Sequence, residues 1–327
     1  MVDTIYIEKD VQTHPRTLAI CERFPRATKI SCDRYSQVFN PKAQNFRVQK
    51  NNPALILARK HKHFVLPTPQ GYGIGSEKNY YFSHMMNCLY DCRYCFLQGM
   101  YPSANYVVFV NYEDFQDDIR RIAQDGSCHF FSGYDCDSLA FEPVTQFATE
   151  FLEFFAALPD SLVEIRTKST QIRSLLDRQP IAQAVIAFSL SPDAQIQQHE
   201  PRTPSLSKRL RALQQLQQAG WKIGLRFDPV VYSDNYLQEY QALFEQCFTL
   251  LDAECLHSVS LGLFRLPEYF HKKMVNLYPL ESLLYRKLET KQGTVRLQAA
   301  VEQDMIAHLE TALLAYIPQS RYFPCYS

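Results

Sequence analysis

Three cysteines within eight residues, in the run Cys88-Leu-Tyr-Asp-Cys92-Arg-Tyr-Cys95, constrain this chain more than any other segment. A Cys-x3-Cys-x2-Cys spacing gathers three thiolates on one tight loop, which suits an iron–sulfur cluster. A cubane cluster has four irons and is usually held by four cysteines, so three local ligands leave one iron free to hold something else. Two other readings of the same thiols stand beside it: a zinc knuckle completed by a distant Cys or His, and a Cys-x2-Cys redox pair with an unrelated third thiol. Zinc sites generally combine two Cys-x2-Cys-like halves, and the sequence has no second half.

Ten cysteines would suit a disulfide scaffold in a short secreted chain, but here they are spread over 327 residues. The opening Met1-Val2-Asp3-Thr4-Ile5 has no basic-then-apolar signal region, and no apolar run approaches the ~20 residues of a membrane span. The expectation is a cytoplasmic protein with reduced cysteines and no membrane partner. Basic and acidic residues balance at 34 each, which excludes a whole-protein field drawing the chain to nucleic acid. Any DNA contact has to be local. Basic residues cluster in Arg47-Val-Gln-Lys50, Arg59-Lys60-His61-Lys62-His63 and His271-Lys272-Lys273, and such clusters are more often solvated faces than phosphate clamps.

From about residue 78 onward, β-branched or aromatic runs alternate with helical periodicity, which predicts a parallel α/β layout. The expected strands span 79–86, 106–111, 128–135, 162–168, 184–190, 222–231 and 256–264. Asn111 can cap a helix carrying Phe115, Ile119 and Ile122 on one face. Thr203 as cap and Pro204 as first residue open another with Leu206, Leu210, Leu213 and Leu216, which Gly220 closes. Strands each followed by a helix imply a full or partial β/α barrel with its active site at the carboxyl ends of the strands, and the cysteine loop follows the first of them. The run Gly71-Tyr-Gly73-Ile-Gly75 precedes a strand rather than opening a helix, so it reads as a turn and not a phosphate cradle.

The cysteine spacing is similar to that of the radical S-adenosylmethionine (SAM) superfamily. The run Tyr94-Cys-Phe-Leu-Gln98, followed by Tyr106-Val-Val-Phe-Val-Asn111, resembles the spore photoproduct lyase family within it. Matches continue in order through Arg166-Thr-Lys168-Ser169, Phe188-Ser189-Leu-Ser191, His199-Glu-Pro-Arg-Thr203, Ala219-Gly220-Trp-Lys-Ile-Gly224, Asp228-Pro229 and Ile317-Pro-Gln-Ser-Arg-Tyr322, with Ile5-Tyr-Ile-Glu8 at the start. The resemblance implies an α/β fold: a partial (β/α)6-type radical SAM barrel over residues 67–265, a small N-terminal accessory domain over 1–66 and a helical and hairpin extension over 266–327. It implies a [4Fe–4S] cluster and SAM as cofactors, a flavodoxin or ferredoxin type electron donor, and DNA as a partner. The implied chemistry is reductive cleavage of SAM to a 5′-deoxyadenosyl radical, which takes a hydrogen from a methylene-bridged thymine dimer; the bridge fragments, and a hydrogen donor quenches the product radical. A damaged base is also cheaper to flip out than an intact one.

By the same resemblance Cys88, Cys92 and Cys95 are cluster ligands, Tyr94 lies against the adenine, Lys168 meets the SAM carboxylate, and Ser189 and Ser191 offer hydroxyl contacts to SAM. Asp228 joins these candidate cofactor contacts; it stands where the lyase tends to have a small apolar residue, and a carboxylate pointing into the barrel would change the substrate pocket. Arg202 replaces the usual glycine of a Glu-Pro-Gly-Thr segment, and Thr203 could simply be a helix cap. Tyr134 falls at the position of the hydrogen-donating cysteine, and Cys136 follows two residues later, on the same face if the strand continues. Phe96 occupies the position of a second relay tyrosine, leaving Tyr94 and Tyr134 as the catalytic candidates beside Cys136. The basic hairpin, from Arg286-Lys287 to Arg296, looks short and carries few positive charges, and DNA affinity depends on how many phosphates are neutralised. Neutral net charge and Asp228 keep open a radical SAM enzyme on a non-DNA substrate, and the zinc alternative keeps open a metal-stabilised nucleic-acid-binding module.

Overall fold

The computed structural model describes residues 2–42, 44–69 and 71–325. Their strands, in chain order, are β1 (Thr4–Glu8), β2 (Thr28–Cys32), β3 (Leu55–Ala58), β4 (Val65–Pro67), β5 (Asn79–Phe82), β6 (Met85–Met86), β7 (Tyr106–Phe109), β8 (Cys128–Ser132), β9 (Ser161–Thr167), β10 (Ala184–Ser189), β11 (Lys222–Val230), β12 (Leu256–Leu263), β13 (Arg265–Pro267), β14 (Leu288–Lys291) and β15 (Thr294–Leu297). The largest sheet runs β12-β11-β10-β9-β8-β5-β4. From β5 to β12 all its pairings are parallel, and β4 closes one edge antiparallel to β5. Six parallel strands require crossovers, and these are helical. The helix Leu206–Gln218, for instance, turns Leu206, Leu210, Leu213 and Leu216 into the core, as expected from their spacing. The sheet stays open between β4 and β12, so the fold is a partial barrel whose six carboxyl ends share one rim.

A buried ion pair braces the barrel. Arg226 on β11 donates from Nη2 to Glu164 Oε2 at 2.7 Å and from Nε to Oε1 at 3.2 Å, and it also reaches Ser258 on β12. Both charged side chains are essentially inaccessible to solvent, so the desolvation cost is met only because the donors and acceptors are matched. Gly224 leaves the room, since a Cβ there would lie 2.7 Å from Arg226 Nη2.

The second sheet, β2-β1-β3-β7-β6, differs from expectation. The segment expected as one strand over 79–86 is two strands: β5 belongs to the barrel, while β6 pairs antiparallel with β7. The 106–111 segment is not a barrel strand, because Tyr106–Phe109 lies parallel to Leu55–Ala58 in the smaller sheet. Both runs are buried on both faces, and a doubly covered parallel strand has the same uninterrupted apolar pattern in either sheet. The small sheet thus takes strands from beyond residue 66, and the chain passes between the two sheets at Ser83-His84, just ahead of the cysteines. The strand expected over 128–135 stops at Ser132, where Gly133 turns the chain with φ +79°.

The third sheet, β13-β15-β14, contains the short hairpin, whose turn residues Gln292 and Gly293 both have positive φ. Two capping expectations change. Asn111 precedes the helix Tyr112–Ala123, but its side chain holds both backbone groups of Lys60 instead of capping. Ser205, not Thr203, holds the N-cap position of Leu206–Gln218, because the Thr203 hydroxyl is committed to Glu200. No helix among the described residues is long and apolar enough to cross a membrane.

Candidate active site

The cysteine loop leaves β6 through Asn87, a buried residue at φ +67° whose amide donates to the carbonyls of Ser103 and Asn105 at 2.8 and 2.7 Å. Backbone bonds fasten the loop to the segment after β10: Asp91 N–H to Pro201 O at 3.1 Å and Arg93 N–H to His199 O at 2.8 Å. Lys50, from the helix Phe46–Asn51, donates to the Cys88 carbonyl at 2.9 Å. The loop therefore turns Cys88, Cys92 and Cys95 into a cavity of about 420 Å³, whose walls include Ser132, Lys168, Ser189, Asp228 and Leu263 near the strand ends.

Burial pushes the Cys88 thiol up to about 12 and raises Cys92 and Cys95 as well, while Lys168 and Lys50 act in the opposite direction. Among the described residues, no three His, Cys, Asp or Glu side chains are grouped to hold one metal ion. Ligands of one zinc ion crowd around a single centre, whereas a cubane offers each thiolate its own iron and lets the sulfurs stand further apart. The three thiols line one cavity, where a cubane would give each of them its own iron.

Lys168, just past β9, holds its ammonium 5.5 Å above the Tyr94 ring. Burial works against that charge, but Cys92 and Glu200 outweigh it and keep the Lys168 pKa above its usual range. Ser189 lines the cavity. Ser191 instead donates to Glu200 Oε1 at 2.9 Å, and the Tyr94 hydroxyl donates to the same oxygen. Glu200 is paired with Arg209 in full burial; burial opposes its charge, yet Arg209 and Lys168 keep its carboxyl below the usual range. No motif in the sequence joins Tyr94, Ser191, Glu200 and Arg209 into this cluster. Its one sequence signal is a charged residue at position 209, on the apolar face of Leu206–Gln218.

Tyr134 and Cys136 both line the cavity, although β8 has ended before them and strand alternation does not set their direction. Tyr134 is 41% exposed, its ring 4.4 Å from Tyr81 and 5.2 Å from Phe96. Cys136 is buried, 4.0 Å from His84 Nδ1, and burial holds its thiol well above the usual range. Asp137 clasps their loop to the end of β9, accepting from the Thr167 hydroxyl and the Lys168 N–H, each at 2.6 Å. Tyr94 points toward Glu200 and Tyr134 toward Tyr81 and Phe96, so the two relay candidates have different neighbours. In the hairpin region Arg286 pairs with Asp234 and Arg296 with Glu302.

The family model described as Spore photoproduct lyase matches residues 3–320. The spore photoproduct lyase of Geobacillus sp. (strain Y412MC61) is 26% identical over 246 residues, covering 72% of this chain and 72% of the relative. A solved mutant spore photoproduct lyase with bound AdoMet and dinucleoside spore photoproduct shares the fold, with a TM-score of 0.87 at 18% identity over 100% of this chain and 98% of that one. Another, complexed with dinucleoside spore photoproduct, gives 0.85 at 18% identity over 100% and 99%. With the match running almost end to end across a barrel whose rim carries the three cysteines, the chain belongs to the spore photoproduct lyase family.

Proposed function

We propose that this protein is a radical SAM lyase that acts on damaged pyrimidines in DNA, in the cytoplasm, with its electron supplied by a flavodoxin or ferredoxin type partner. The observation that carries the reading is the meeting of Cys88, Cys92 and Cys95 with Lys168, Ser189 and Tyr94 around one cavity at the carboxyl rim of the barrel. Cys88, Cys92 and Cys95 would hold a [4Fe–4S] cluster there, which with bound SAM would supply the 5′-deoxyadenosyl radical chemistry. The chain's own groups do the rest. The three thiolates hold the cluster, and Lys168 offers its ammonium to the SAM carboxylate in a site shielded from water. Tyr94, fixed through its hydroxyl by Glu200, presents its ring to the adenine.

The hydrogen donor lies on the loop after β8. Cys136 favours that role because burial keeps its sulfur protonated, and transfer of the S–H hydrogen to a carbon radical leaves a repaired base and a sulfur radical on the protein. Tyr134 is the second candidate, as it lines the same cavity and carries an O–H. The neutral net charge and the engaged arginines near the hairpin favour a small footprint on DNA over a long phosphate track.

Anaerobic reconstitution with iron and sulfide tests the first step: a cluster gives a broad absorption near ~400 nm that bleaches on reduction, while zinc is colourless. The reduced protein should then release 5′-deoxyadenosine from SAM, and failure to do so ends the radical reading. Irradiated DNA should accelerate that release; unchanged turnover would point to a non-DNA substrate.

A further inference from the structure

Another part of the cavity is chemically unlike the cysteine wall. Asp228, near the carboxyl end of β11, borders the cavity with its side chain 19% exposed and stands 4.0 Å from Arg265 Nη1. Among the described residues its carboxylate accepts no hydrogen bond. It rests on Gly262 of β12, where a Cβ would lie 3.0 Å from both its Cγ and its Oδ1. A missing side chain thus makes room for this carboxylate.

Two guanidinium groups share the site. Arg265 spends one donor on the Leu263 carbonyl and one on Cys325 Sγ. Arg166, on β9, bonds Glu164 through Nε at 2.9 Å and lies over the Tyr72 ring. Each guanidinium has five N–H donors, so both keep several to offer. Arg226 also pairs with Glu164, so three guanidiniums stand against the two carboxylates of Glu164 and Asp228, and Arg166 and Arg265 border the cavity with Asp228.

A carboxylate set among guanidiniums offers an acceptor together with donors. A thymine or uracil ring has the complementary edge, with N3–H as donor between two carbonyl oxygens. Cytosine puts a lone pair at N3, which would face the carboxylate unpaired. Deaminases and glycosylases read flipped bases through this same edge.

We propose that Asp228 accepts the N3–H of a pyrimidine in the cavity while Arg166 and Arg265 donate to its ring carbonyls, so that the site selects imide bases over cytosine. This rests on the lesion-repair reading and names the base feature it recognises. Asp228 is then a substrate contact and not a contact to SAM.

The test is equilibrium binding of the reconstituted protein to dinucleoside spore photoproduct and to the same lesion methylated at both N3 positions, in wild type, Asp228→Ala and Asp228→Asn. A hydrogen bond to a charged group implies that methylation weakens wild-type binding about 10-fold or more. Asp228→Ala should bind both forms alike, and Asp228→Asn, whose amide oxygen still accepts, should fall between. A wild type that ignores methylation or the unmethylated lesion overturns the assignment, as does an Asp228→Ala loss that is equal for both ligands, the mark of a purely structural role. Release of 5′-deoxyadenosine by the wild type reads the parent function separately. Its absence sinks the radical reading, whereas its presence beside methylation-blind binding sinks only the Asp228 assignment.

Discussion

Lys50 donates to the Cys88 carbonyl at 2.9 Å across 38 residues of sequence, and by that bond a helix of the small N-terminal region holds the first cysteine of the cavity. The lysine is 5% exposed, and its ammonium is one of two cations that work against the burial of the thiols. The N-terminal region is therefore part of the cavity's construction and more than an appendage.

Lys50→Met keeps the aliphatic stem but leaves the Cys88 carbonyl without its donor. Stability should fall by about 1 to 3 kcal/mol, and iron bound per chain after reconstitution should fall with it. Full iron loading at unchanged stability would show that the bond does not order the loop.

Arg209→Leu should cost about 3 to 5 kcal/mol, because it strands the Glu200 carboxylate in full burial. Adding Glu200→Gln should recover much of that loss by removing the orphaned charge. Chemical denaturation of both variants distinguishes this pair from ordinary packing, for which the second change would bring no recovery.

Burial keeps the Cys136 sulfur protonated, whereas the Tyr134 ring is partly in solvent. Cys136→Ala should therefore divert the lesion radical into side products, visible by mass spectrometry of the digested DNA. A normal product distribution removes Cys136 as donor and leaves Tyr134 to be tested by its phenylalanine variant.

The cysteine spacing and the alternation of strands with helices were legible in the sequence because both are local patterns. The sheet that receives Tyr106–Phe109 was not, since four residues buried on both faces carry no record of their neighbours. In sequence Lys50 belongs only to a basic cluster, and nothing near it points to Cys88. Thr203 looked like a cap because caps and side-chain clusters use the same hydroxyl, and only the nearby Glu200 decides between them. The inward direction of Tyr134 and Cys136 comes from a loop clasped by Asp137, which no strand periodicity describes.

Gly99→Ala should destabilise the wall beside the cysteines. Its Cβ would come within 2.5 Å of the Phe270 carbonyl oxygen and 2.8 Å of Phe270 Cα, so helix Leu97–Met100 and helix Glu268–Leu277 would have to separate. Backbone cannot rotate away as a side chain can, and overpacking of this kind costs about 1 to 3 kcal/mol. A thermal melt equal to wild type would mean that the two helices slide freely.

His84 gives the fold a built-in acid sensitivity. It is stacked on Phe147 at 3.9 Å, with its Nε2 buried and without a hydrogen-bond partner, and burial lowers its pKa from 6.5 to about 3. Between those values the unfolded chain binds a proton at this position and the folded chain does not. Proton uptake then favours unfolding, and stability falls as pH drops through that window, by about 2 kcal/mol from this residue at pH 5. His84→Phe keeps the ring stack and removes the titration. The difference in unfolding free energy between wild type and variant should therefore shift by that amount between pH 7 and pH 5 in urea titrations. His257, whose pKa burial lowers to about 4, is present in both proteins and cancels from the difference. Parallel pH profiles for the two proteins would mean that His84 takes up its proton without unfolding the chain.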